Sequence, residues 1–64
     1  MPKYDVQVQL SGNDGNAFAI LGAVKRALHK ADVPLKEIEE FMNQATAGDY
    51  NHLLATCMEW VDVE

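Results

Sequence analysis

The segment Tyr4-Asp5-Val6-Gln7-Val8-Gln9-Leu10 alternates throughout, with Tyr4, Val6, Val8 and Leu10 on one side and Asp5, Gln7 and Gln9 on the other. Period-two alternation with β-branched residues is the pattern of a strand that buries one face. Its second face, two glutamines and an acid, meets water or another chain. The far end of the chain answers it. Glu59-Trp60-Val61-Asp62-Val63-Glu64 returns to period two, with Val61 and Val63 set against Asp62 and Glu64. That tail reads as a closing strand, and a helix running on to Val61 is the competing reading. The fold then rests on one expectation: both ends form a pleated ribbon whose apolar side lies under the segments between them.

Those intervening segments read as helices. Ser11-Gly12-Asn13-Asp14-Gly15-Asn16 is drawn entirely from turn-forming residues and stops the first strand. Asn16 suits the N-cap of a helix over residues 17–31. Phe18, Leu21, Val24 or Lys25, and Leu28 form one stripe of it, which Ile20, Ala27 and Ala31 extend. Gly22 and Ala23 are small enough for another backbone to approach closely. Lys25, Arg26, His29 and Lys30 fall late in the helix, where positive charge complements the dipole. Asp32-Val33-Pro34 breaks it, and Pro34 suits the first turn of a second helix over 35–45 with Leu35, Ile38, Phe41 or Met42, and Ala45 inward. Gly48 is expected to close that helix in the left-handed conformation. A third helix over 50–58 carries Leu53, Leu54, Cys57 and Met58 on one stripe. Either Asp49 caps it, or Thr46 does with Asp49 answering three residues later. The expected fold is α+β, β-α-α-(α)-β, with a two-stranded sheet and helices on one face, residues 1–64 forming a single small domain.

Sixty-four residues support one domain. A chain this short buries only about 60% of its extended surface, so disulfides, a metal or a partner usually reinforce it. Cys57 is the only cysteine and cannot form an internal disulfide; no Cys/His spacing for structural zinc occurs. No cofactor or metal is expected. Tight packing or self-association remains. Pairing with a second copy would hide a strand edge and extend the sheet to four strands, a dimer being the first form to consider. Ten acidic residues against five basic give a net charge of −5, which argues against a general nucleic-acid binder. The longest apolar run, residues 17–21, is far below a membrane span of about 20 residues, and no signal peptide precedes it.

Two polar turns are candidate ligand sites. Asn13, Asp14, Gly15 and Asn16 precede a helix start, where backbone N–H groups and the dipole favour anions. The spacing fits neither a dinucleotide fingerprint nor a P-loop, and Asp14 would repel phosphate. A tight, capped turn explains the same residues. The second turn offers Asp49, Tyr50 and His52. An Asp–His pair three apart is a general-base module, yet no nucleophile accompanies it, and Cys57 behaves as a buried apolar thiol. Together the two turns form an alternative reading, a small-ligand binder or nucleotide sponge with Tyr50 and His52 addressing a base. Glu39, Glu40, Glu59, Asp62 and Glu64 read as a solvated face. If the tail is a strand, Trp60 and Asp62 share the outer sheet face with Gln7 and Gln9, and Trp60 becomes an interface anchor. If the tail is helical, Trp60 is ordinary core.

Three stretches carry a resemblance: residues 11–22 with Asp14-Gly15-Asn16-Ala17-Phe18, residues 33–41, and residues 45–54 with Gly48-Asp49-Tyr50-Asn51-His52-Leu53-Leu54. They resemble a family of small hypothetical proteins of bacteriophages and some bacteria, over nearly the whole chain. Asn51 stands where that family commonly has an acid. The resemblance implies a phage or prophage origin and expression in the host cytoplasm, and it transfers no catalytic residue. The expectation is a non-enzymatic, self-associating accessory protein that contacts a host macromolecule, with counter-defence as one such role.

Overall fold

In the computed structural model, residues 2–9 and 16–63 are described. The element order is β1 (Gln7–Val8), α1 (Ala17–Lys30), α2 (Leu35–Ala45), α3 (Tyr50–Trp60) and β2 (Asp62–Val63). The fold is the α+β arrangement expected from the two alternating ends. The strands pair in parallel, Gln7 opposite Asp62 and Val8 opposite Val63. Parallel pairing needs a long crossover, and all three helices lie within it. Val8 and Val61 are buried and Val6 is half-buried, whereas Gln7 and Asp62 face water.

The N-terminal segment does more than pair with β2. Lys3 N–H donates to Glu59 C=O at 2.7 Å and Tyr4 N–H to Trp60 C=O at 3.0 Å. These carbonyls end α3, where helix geometry leaves acceptors without internal donors. The opening residues therefore cap the last helix before they join the sheet. Hydrogen-bonded strand begins later than the alternation implied, at Gln7 and at Asp62, because Lys3 and Tyr4 pair with the end of α3 and helical pairing persists to Trp60. Leu10 and Glu64 lie outside the described residues. The tail is helix first and strand second.

Trp60 consequently belongs to the core, at 3% exposure, and is not an anchor on the outer sheet face. Its ring packs edge-on to Phe41 at 5.6 Å and against Tyr4 at 5.8 Å between centroids. Its indole N–H donates to Gln44 Oε1 at 3.2 Å. Lys3 Nζ stands 4.2 Å from the Trp60 ring centroid and 3.1 Å from Glu37 Oε1, which also accepts from Tyr4 Oη at 2.7 Å. Tyr4 and Lys3 together hold the Glu37 carboxyl below its ordinary range. The same hydrogen bonds raise the Tyr4 phenol and the Lys3 ammonium. Phe41, Leu28, Ile38, Val24 and Val61 complete the centre. Full burial of a side chain of this size contributes about 1.5–3 kcal/mol. Cys57 lies among them, and burial pushes its thiol up.

Several apolar residues leave the stripes assigned to them. Phe18 is 83% exposed, Leu35 65% and Met58 64%. Phe18 and Leu35 sit in the first turns of their helices, with most of each side chain in water. Ala31 is exposed as well. Thr56 is buried in α3, which it tolerates by donating its hydroxyl to His52 C=O at 2.8 Å.

The helix junctions follow different chemistry from that expected. Asp32 adopts φ 62°, the left-handed region. Asp32 N–H donates to His29 C=O and Val33 N–H to Leu28 C=O, both at 3.1 Å. This is the paired C-terminal cap that glycine usually serves, built on an aspartate. Gly48, by contrast, is not left-handed and does not end α2, whose C-cap is Thr46. A Cβ on Gly48 would lie 2.8 Å from His52 Cγ, so the glycine is there for close approach. Among the described residues no other backbone comes within 4 Å of where a Cβ on Gly22 would stand; the nearest atom is in the Arg26 guanidinium, at 3.9 Å. Pro34 is the N-cap of α2 rather than its first helical residue, and its carbonyl accepts from Glu37 and Ile38.

Candidate functional site

The starts of α1 and α3 come together. Asn16 Oδ1 accepts from Phe18 N–H at 2.7 Å, and Asp49 Oδ1 from His52 N–H at 2.9 Å. Asp49 is thus the cap of α3, and Thr46 instead donates back to Met42 C=O at 2.7 Å. Between the two starts lies a shallow hollow of about 250 Å3, with Leu21 and Leu53 in its floor and Phe18 and Tyr50 on its rim. Tyr50 is 42% exposed. The second turn is therefore joined to the first helix start in space. Asn13, Asp14 and Gly15 lie outside the described residues.

His52 does not look into this hollow as a reader. Its Nε2 is 2.8 Å from Gln44 C=O. A carbonyl only accepts, so that nitrogen carries a proton. Gly48 packs against the ring, and Thr56 Oγ1 lies 3.5 Å from the same nitrogen. The Asp49 carboxylate serves the His52 backbone and not the imidazole. The Asp–His base module drawn from the spacing is not assembled. Gln44 instead ties α2 to α3 twice, through its carbonyl to His52 and its side chain to Trp60. Sequence reading missed Gln44, since a glutamine late in an amphipathic helix looks like any solvated position.

Of the outer sheet-face set, Gln7, Gln9 and Asp62 are exposed and Trp60 is not. That face is polar and lacks its proposed anchor. No group of three or more His, Cys, Asp or Glu that could hold a metal ion occurs among the described residues. Among them, too, no helix is long and apolar enough to cross a membrane. Comparison with family models, curated proteins and solved structures gave no match.

Proposed function

We propose that this chain is a small phage-type accessory protein that self-associates, a dimer in the simplest case, and contacts a host macromolecule in the host cytoplasm without catalysing a reaction. The observation that carries the reading is the pair Phe18 and Tyr50, 83% and 42% exposed around one hollow. Large apolar side chains grouped at a concave surface favour a protein partner. With Trp60 in the core, this end of the molecule is a better seat for self-association than the polar sheet face. The resemblance of residues 14–18 and 48–54 to phage proteins supports the origin and the setting. Sedimentation equilibrium at high micromolar concentration tests it. Association that Phe18→Ser abolishes supports the reading, and a strict monomer sinks it. Affinity capture from host lysate, followed by mass spectrometry, addresses the host contact.

A second reading draws on the convergence of two helix starts beside Tyr50: a small anionic ligand, such as a nucleotide, held at the hollow. Its volume of about 250 Å3 is small for such a site and Asp49 opposes an anion. His52, committed to Gln44, cannot serve as drawn. Thermal-shift screening against nucleotides, cyclic ones included, decides it; an unshifted melting point across the panel removes it.

A further inference from the structure

A different hollow, of about 260 Å3, runs between β1 and α1. Gln7, Val8 and Gln9 form one wall, Ala23 and Ala27 the other, and Arg26 and Lys30 stand over it. Among the described residues α1 touches β1 and makes no contact with β2. Asp62 N–H donates to Val6 C=O at 2.8 Å, and Gln7 stands opposite Asp62. In a parallel ladder the residue opposite a bonded partner turns its own N–H and C=O to the other edge. Gln7 therefore directs one donor and one acceptor away from β2, at an edge that no further strand covers among the described residues. Three of the five Lys and Arg, namely Lys25, Arg26 and Lys30, lie on α1, which carries no acid although the chain has ten. Arg26 and Lys30 are exposed, and neither forms an ion pair among the described residues.

We infer that this groove takes an extended, acidic peptide segment of a partner protein as a third strand beside β1. The inference rests on the binding reading above and names the chemistry of its partner. Gln7 supplies the backbone hydrogen bonds of strand addition. Ala23 and Ala27 leave room for the incoming chain, while Arg26 and Lys30 meet alternate carboxylates. With the outward backbone groups of Gln7 as the strand contact, the two cations set most of the affinity and make it salt-sensitive. A peptide fits better than a nucleic acid: among the described residues no aromatic ring lines the groove for a base to stack on, and the backbone groups of Gln7 pair with a strand, which a sugar-phosphate chain cannot imitate.

Fluorescence anisotropy with a labelled short peptide alternating valine and glutamate tests the groove. The peptide binds, its valine–lysine counterpart does not, and N-methylation of alternate peptide groups abolishes binding. Replacing both cations, Arg26→Gln with Lys30→Gln, weakens binding about tenfold or more while the helical circular-dichroism spectrum of the folded chain is retained. The amide resonance of Gln7 shifts on titration. Absence of binding at millimolar peptide, indifference to N-methylation or to the double substitution, or equal binding of the lysine peptide or of a short oligothymidylate overturns the inference. Sedimentation of the same samples separates the two claims. A chain that self-associates but ignores the peptide defeats the groove alone, and a monomer that binds the peptide defeats self-association alone.

Discussion

Aromatic residues gather in two places in this molecule, and they are treated oppositely. Tyr4, Phe41 and Trp60 meet where the N-terminal segment crosses the end of α3; the phenol and indole protons are bonded and Lys3 covers the indole. Phe18 and Tyr50 flank one hollow where α1 and α3 begin, and most of the Phe18 ring is left to water. The difference lies in what the backbone supplies. The closed end brings together three segments, the N-terminal residues, α2 and the end of α3, whereas at the open end Phe18 and Tyr50 stand in the first turns of two helices around a shallow hollow. An aromatic residue at a crossing of elements holds the fold, and one in a free first turn is available to something else.

The strongest way to break this contrast is Trp60→Ala. Removing the ring opens a cavity under Tyr4 and Phe41 and leaves the Gln44 amide without its indole donor. A loss of about 3–5 kcal/mol in urea unfolding is expected; a loss below one would mean that the closed end does not hold the fold. Next is Gly48→Ala, which drives a methyl into the His52 ring at 2.8 Å. Overpacking of this kind costs about 1–3 kcal/mol, and the His52 ring resonances should move as the Gln44 bond breaks. An unchanged melting temperature would show that the turn yields freely.

Asp32→Gly acts in the other direction. At φ 62° glycine relieves the left-handed position, for a gain of about 1 kcal/mol or less in denaturant midpoint. Acid and alkali probe the closed end more gently. Because the folded Glu37 value is depressed, its contribution is present above the ordinary carboxylate range of about 4.3 and is lost as pH falls through the folded value. The raised Lys3 and Tyr4 values contribute below about pH 10 and lose that contribution as pH rises through them. Glu37→Gln should flatten both limbs of a melting-temperature profile, by a small amount because the network is open to water. A profile identical to the parent's would remove the network from the stability argument. Smallest of all is Phe18→Ser on the monomer, with a stability change within about 0.5 kcal/mol. A large loss there would mean that the ring is structural after all.

The sequence made much of the closed half legible. The bounds of α2 came directly from Pro34 and the Leu35–Ala45 stripe, and alternation at both ends located the ribbon. Trp60 was ambiguous because it is the hinge between two periodicities, last in the helix and next to the strand. Phe18 was placed inward by counting steps of three, yet each such step falls about 60° short of a full turn, so a chain of them winds around the helix. Phe18 and the buried run of Ile20, Val24 and Leu28 end up on different sides. The parallel direction of the ribbon carries no pattern signal. At the candidate site, the polar helix start formed by Asp49 and His52 is visible in the sequence. Their partners were not legible, since the His52–Gln44 bond depends on how α2 and α3 pack.

The capping of α3 by Lys3 and Tyr4 has a consequence for synthesis. Residues 3–8 are made before the segment they pair with, whose hydrogen-bond acceptors and strand partner follow more than fifty positions later. The helices between can dock on one another in the interval, while a valine-rich stretch with an unsatisfied edge stays exposed to any other nascent β-prone segment. The ribbon cannot close until residues 59–63 exist, and the interval before then is when residues 3–8 are most open to mispairing.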